Sequence, residues 1–476
     1  MMMMAFRYPT PEYAFRQGTR FCPLKADMQA ANLKRRSSEV ITGNQGRPQG
    51  RNRSLLRIHP GAPPHAPRFT YLAALLVSIT LTFSVHFASR ISAIGQMDYI
   101  RYSESMSLGR PLSLLAGGIG ALLTTLLWLI YRPTGRWNAQ FTLFLALVGA
   151  TWLVAVGLSA TQGSPLDASL LGLPLLLAMI WAKPVPIRDV LRAIDFWALS
   201  TVGLAAAFIG LQWAGLAVTS DPIYLRRWQI PTPFGTVIER WAGPFGNVNF
   251  AGPLGAAILV YGLTRSGMVR LISVAGGLII LILSESRSAI AAAIVGVTVL
   301  VVAQAMKRGR LRPLASFGAV GLAAISISGL LLLDPSLNGR TSIWVNYLDA
   351  WWDNPIWGLR LQGGLTSSGH NTLIDTALQY GLAGLLPMLG ALAVLTFMAF
   401  KVARRGPAFV LPLLAVVLVG CSMDRLIDLR YFTLEAVPIL AIALGASAYA
   451  NEATSVHSHL GQSPSPTAYQ GPSPTK

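Results

Sequence analysis

The sequence predicts an all-α fold: a polytopic integral membrane protein of about twelve transmembrane helices, with a long extracytoplasmic loop carrying short helices. Three observations predict it. The 476 residues are 53% hydrophobic and only 12% charged, with a mean hydropathy of +0.52, whereas a soluble domain carries roughly 25% charged residues to cover its surface. Apolar runs of about the 20 residues needed to cross a bilayer recur along the chain, separated by charged or Pro/Gly-rich breaks. The positive charge, 38 Lys and Arg against 19 Asp and Glu, gathers in a tail and in alternate loops, the pattern of membrane orientation rather than of nucleic-acid binding.

Residues 1–68 hold twelve Lys/Arg against three acids among scattered Pro, Gly, Asn and Gln, and read as a disordered basic tail. No apolar core with a small-residue cleavage site precedes Phe69, so a cleaved signal peptide is not expected. The membrane domain covers 69–450, with predicted spans at 69–89, 111–131, 139–160, 166–182, 193–218, 248–264, 267–283, 288–306, 313–333, 381–400, 406–423 and 431–450. Residues 451–476, rich in Ser, Pro and Gly, read as a second disordered tail. With the basic tail inside, the later inner loops and their flanks collect fourteen Lys/Arg, from Arg132 to Arg405, against one clear acid, Asp189. The outer loops hold eleven Arg and about as many acids. An even number of spans then leaves both termini cytoplasmic. Cys22 and Cys421 fall on opposite sides, so no intrachain disulfide is expected.

Three outer segments stand out: 219–247, the turn 284–287, and the long loop 334–380, which exceeds the usual connection of about 12–15 residues. In the first, Glu239-Arg240-Trp241 runs through a Gly/Pro/Asn-rich stretch to Asn247 and Asn249 at the start of a span. Backbone amides and Arg240 suit an anion there, as Arg240 also suits a pair with Glu239 or a lipid headgroup. Arg287 sits at the membrane boundary and needs a partner, either Glu285 or an anionic ligand held between helices. In the long loop, Arg340 leads into an amphipathic helix near the interface, with Trp344, Leu348 and Trp351 at i, i+4, i+7 before Pro355. Its stripe fits a membrane-interface or packing face, or a sugar platform.

His370 is the one histidine of the outer loops. It precedes Asn371, a good N-cap, and a short helix predicted to end before Gly381. A helix N-terminus disfavours the imidazolium, which keeps His370 able to accept a proton; a solvated or capping histidine is the plainer alternative. No His/Cys/Asp/Glu cluster has metal-ligand spacing and no nucleotide-binding glycine motif follows a strand, so neither metal nor cofactor is expected.

These residues resemble the O-antigen ligase and polymerase superfamily of bacterial membrane glycosyltransferases, over a core of 235–395. The sharpest element is the ligase pattern His-[Asn/Ser/Gln]-x9-Gly-x-x-Gly-Thr, present as His370-Asn371, nine residues, then Gly381 and Gly384, with Leu385 where the pattern has Thr. The Arg240 to Asn249 stretch, Ser286-Arg287-Ser288 and Gly339-Arg340-Thr341 also resemble family segments, in the same order.

The resemblance implies an enzyme of the bacterial cytoplasmic membrane with its active site outside. It would transfer a glycan from undecaprenyl pyrophosphate to a hydroxyl on a glycan, glycolipid or protein, inverting the anomeric carbon without metal or nucleic acid. Arg240, Arg287 and Arg340 would hold the pyrophosphate and His370 would take the acceptor proton. Asn247, Asn249, Asn371, Gly381 and Gly384 would support them. Two alternatives remain: a repeat-unit polysaccharide polymerase of the same superfamily, and a twelve-span transporter or lipid-linked sugar flippase, whose charges belong at mid-membrane.

Overall fold

A computed structural model describes residue 70, 72–81, single positions between 115 and 130, 137–161, 185–214, 241, 243–245, 248–307, 340–359, 371–403, 405–423 and 436–461. The basic tail 1–68, the predicted spans 166–182 and 313–333, and Arg240, Asn247 and His370 lie outside the described residues. Among the described residues the regular structure is all helical: α1 (Leu72–Leu81), α2 (Ala139–Thr161), α3 (Ile187–Trp213), a 3-10 turn (Gly243–Phe245), α4 (Val248–Leu263), α5 (Gly267–Ser284), α6 (Arg287–Lys307), α7 (Arg340–Trp351), α8 (Thr372–Val402), α9 (Val410–Met423) and α10 (Ala436–Gly461). Six of them, α2, α3, α5, α6, α8 and α10, are long and apolar enough to cross a membrane.

The centre is α4, buried along most of its length against α5, α6 and α9. It is rich in small residues, and in lipid, where apolar surface has no water to escape, close backbone approach is what makes helices associate. A Cβ on Gly255 would stand 2.9 Å from the Gly277 carbonyl oxygen of α5, and one on Gly252 only 2.6 Å from the Ser286 Cβ. These glycines let two backbones touch where side chains would hold them apart.

Neighbouring pairs fix the direction of each helix and divide the bundle into two ends. At one end the Tyr261 ring meets Phe409 at 5.6 Å, Arg265 pairs with Asp195, Asn138 donates to Ser447 Oγ at 3.2 Å, and the Ile187 amide donates to Glu452 Oε1 at 2.9 Å. Gly296 of α6 packs at mid-bundle against Val416 of α9 and Val260 of α4. At the other end Gly252 meets the 284–288 turn, the Trp241 amide donates to the Leu283 carbonyl at 2.8 Å, and Asn371 Nδ2 donates to the Ser422 carbonyl at 2.8 Å. Arg188, Arg192, Arg270, Lys401 and Arg405 flank the Arg265 end. The Asn371 end has both signs of charge, with Glu285 and Arg287 on the α5–α6 turn, Asp375 in the first turn of α8, and Asp349 and Asp353 on or just after α7.

Three boundaries differ from the sequence reading. Helix α3 starts at Ile187 rather than 193, because Pro186 opens it and Glu452 satisfies an amide that charge-based parsing left in a loop. Helix α10 continues through the first part of the predicted 451–476 tail to Gly461, with no proline to stop it earlier. Helix α9 begins at Val410, after the Pro407 turn. The predicted span 381–400 forms one run with the short helix before it, broken at Gly381, where φ is 58° and ψ −160°.

Candidate functional site

Two segments named from the sequence lie at the Asn371 end. The first is the α5–α6 turn. Glu285 closes α5 with φ 47°, a left-handed conformation uncommon for a residue with a side chain, and its amide donates back to the Ile282 carbonyl. Ser286 then caps α6: its hydroxyl accepts from the Ala289 amide at 3.4 Å and lies 3.0 Å from the Ser288 hydroxyl. Ser284, Ser286 and Ser288 are all buried, while Arg287, the first residue of α6, is exposed. The 3-10 turn Gly243–Phe245 packs against α3 and α4 beside it, with Trp241 and Phe245 edge to face at 6.2 Å. That interleaving brings the chain next to Arg240 against the turn that carries Arg287. Asn249 lies in the first turn of α4, half-buried.

The second segment is the start of α8. As its sequence setting predicts, Asn371 is the N-cap: Oδ1 accepts from the Leu373 amide at 2.9 Å and the Ile374 amide at 3.1 Å. Its Nδ2 reaches the Ser422 carbonyl at the end of α9, so one side chain both starts the helix and ties it to the bundle. Residue 370 therefore precedes an anchored cap.

Gly381 and Gly384 have structural roles. At Gly381 the helix breaks, and the amides of Leu382 and Ala383 turn to the carbonyls of Pro355 (2.8 Å) and Ile356 (3.0 Å), while the Leu359 amide donates to the Leu378 carbonyl at 2.7 Å. Gly358 crosses there with φ 77°, and a Cβ on either glycine would collide with the backbone of the other strand of chain. Gly384 leaves room for Tyr380, whose ring lies against Ala155 and Leu158 of α2. Arg340 is the first residue of α7, which packs on α8.

Sequence reasoning overlooked a polar face. Buried along with the apolar Ala377 and Leu378 are Thr372, Asp375, Thr376 and Gln379 of the helix predicted after Asn371. Their spacing of i, i+3, i+4, i+7 is the signal that was available. Thr376 Oγ1 donates to the Thr372 carbonyl at 2.6 Å. The α7 face is also corrected. Trp344 and Trp351 are partly covered, but Tyr347 rather than Leu348 is the buried residue between them; Leu348 is exposed.

The Arg265 end holds a different cluster. Arg265 grips Asp195 with Nε to Oδ1 at 2.7 Å and a terminal nitrogen to Oδ2 at 2.6 Å, and Tyr261 Oη donates to the same Oδ1 at 2.6 Å. Burial is the largest single influence on the Arg265 cation and disfavours it, but the hydrogen bond to Asp195 and the electrostatic attraction of Tyr261 and Asp195 together outweigh it and leave Arg265 above the ordinary arginine value. Asp195 is thus paired with Arg265 through both its oxygens. Among the described residues no three His, Cys, Asp or Glu side chains gather as a metal site would need. No protein-family model matches the chain, and no curated protein matches it.

Proposed function

We propose that the chain is a twelve-span bacterial membrane glycosyltransferase of the O-antigen ligase type, moving a glycan from undecaprenyl pyrophosphate to an acceptor hydroxyl outside the cytoplasmic membrane. The observation that carries this reading is that the Arg287 turn, with the chain next to Arg240 bonded beside it, and the Asn371 cap that follows His370 lie at the same end of an apolar bundle. Arg287 and Arg340 are both first residues of helices, where the backbone dipole adds to a positive charge instead of offsetting it. Such ends attract anions. The excess of Lys and Arg at the Arg265 end supports a cytoplasmic position for that end under the positive-inside rule, which turns the Asn371 end outward.

In this mechanism the acceptor oxygen attacks the anomeric carbon as the bond from that carbon to the pyrophosphate oxygen breaks. Charge grows on the leaving pyrophosphate, and Arg240, Arg287 and Arg340 stabilise it in place of water. The acceptor proton passes to His370. Attack opposite the leaving group inverts the configuration, and no metal enters any step. Leu385, standing where the ligase pattern has Thr, favours the polymerase as the second reading.

The test is turnover in detergent, where transport has no meaning. Purified protein given a lipid-linked glycan and an acceptor should consume the donor and release undecaprenyl pyrophosphate, undiminished by chelator. Arg287→Lys, which keeps charge but not the planar fork, should lower the rate tenfold or more. A donor left intact with every class of acceptor, by protein that remains folded, would refute the enzyme reading; wild-type rates for Arg287→Lys would refute the clamp.

A further inference from the structure

The exposed surface of α7 is divided into two sectors. At about 100° of rotation per residue, Val345, Leu348 and Trp352 fall together on one side, whereas Ser342, Asn346 and Asp349 fall together on another; all six are exposed. Tyr347, 4% exposed, with Trp344 and Trp351, fills the third side, toward α8. A helix wholly in water has no reason to segregate its exposed residues, and one wholly in lipid would not carry Asp349. The arrangement suits a helix lying at a boundary, with one flank on protein, one in an apolar medium and one in water.

The apolar flank continues beyond the helix. Ile356 and Trp357 are both at least half exposed, and the hydrogen bonds from Leu382 and Ala383 to Pro355 and Ile356 hold them level with the first turn of the apolar segment after Gly381. One turn deeper, Leu386 is 60% exposed on that segment, as a lipid-facing side chain of a membrane-crossing helix should be. The splice therefore joins the exposed apolar flank of α7, through Ile356 and Trp357, to the segment that carries the exposed Leu386, with tryptophan near the splice, the residue enriched where hydrocarbon meets headgroups.

We infer that Val345, Leu348, Trp352, Ile356 and Trp357 are immersed in the lipid leaflet at the boundary between headgroups and acyl chains, and that the splice at Gly358 and Gly381 thereby sets the depth of the Asn371 end. This rests on the membrane-crossing character of α8 and not on the chemistry proposed above. The occupant is bulk phospholipid, since these residues are spliced to a membrane-crossing helix whose own exposed side chains, Leu386, Phe397 and Phe400 among them, are apolar.

Site-directed spin labels test this in nanodiscs of phosphatidylethanolamine and phosphatidylglycerol, in a full-length Cys22→Ser/Cys421→Ala background. Labels at 345, 348, 352 and 356 should show a ratio of oxygen to nickel-chelate accessibility several-fold above labels at 342, 346 and 349. A label at 386 should lie deeper than one at 356, by about one helical turn. Equal ratios at both sets would put the apolar flank in water, and exclusion of both reagents would mean that a protein surface covers it; either overturns the inference. Brominated lipid provides a check without labels. The Trp352→Phe/Trp357→Phe variant should lose part of the wild-type tryptophan quenching, and unchanged quenching would overturn the inference as well.

Discussion

Replacing Gly381 by Ala isolates the splice between the 355–359 turn and the broken helix α8. With φ 58° and ψ −160°, residue 381 occupies a region open essentially to glycine, so Ala costs about 1–3 kcal/mol in backbone strain alone. Its Cβ would collide with the backbone carbonyl of Ile356, which cannot rotate away as a side chain would. The turn must withdraw, and the Leu382 and Ala383 amides then lose their acceptors, at about 0.5–1.5 kcal/mol net each. The total is about 2–6 kcal/mol. Two other glycines supply the scale. Gly267 has φ 63° but nothing within 4 Å of a Cβ, so Ala there should cost strain alone, about 1–2 kcal/mol. Gly203 is helical with nothing within 4 Å, so Ala should be neutral or mildly stabilising. The assay is the midpoint of heat-induced loss of monodisperse protein in detergent, at one heating rate for all variants. At roughly 2 °C or less per kcal/mol for a chain of this size, Gly381→Ala should melt about 3–10 °C below wild type, Gly267→Ala slightly below it, and Gly203→Ala with it. If Gly381→Ala melted with Gly267→Ala, the turn would not be bearing on the break and the splice would be wrong.

Three further outcomes are expected. Asn371→Ala removes the acceptor of two amides and the tie to Ser422, which should destabilise by about 1–2 kcal/mol; Asn371→Asp, which keeps the cap but not the donor, should recover part of the melting midpoint, and no difference between the two would remove the tie from the account. His370→Gln should lower turnover by about 10² to 10⁴ while donor binding persists, and wild-type turnover should fall on acidification because an imidazolium cannot accept the acceptor's proton; a Gln variant with the same rate and the same acid limb would assign the proton elsewhere. Arg265→Met leaves Asp195 half-buried without its cation and should cost about 1–3 kcal/mol, reduced from the fully buried case because the Arg265 side chain retains a quarter of its exposure. Adding Asp195→Asn should restore part of that loss in the melting midpoint, and strictly additive losses would show the pair uncoupled.

Much of the bundle was legible because local rules governed it. The breaks at 264–266 and 285–286 are polar or charged interruptions of apolar runs, and α4, α5 and α6 begin and end within a residue of the predicted limits. The Asn371 cap and the halt at Gly381 were readable from residue type alone. What escaped is tertiary. The Ile187 amide is satisfied from Glu452, far along the chain, so Pro186 is the local sign of where α3 starts and the partner of its opening amide has none. The Gly358 and Gly381 backbones need each other, and neither announces it. On α7 the spacing identified apolar residues correctly but could not decide which apolar flank meets protein, since Tyr347 and Leu348 are equally fit for either. On α8 the burial of Asp375 and Gln379 depends on what packs around them.

The last helix supplies Ser447 to Asn138 at the threshold of α2, and Glu452 to the opening amide of α3. A ribosome makes those two early helices hundreds of residues before their partner exists. They must wait in the bilayer, threaded but unfinished, until α10 has been made. A product that stopped before α10 would therefore lack partners not only for its neighbours α8 and α9 but also for α2 and α3, made hundreds of residues earlier.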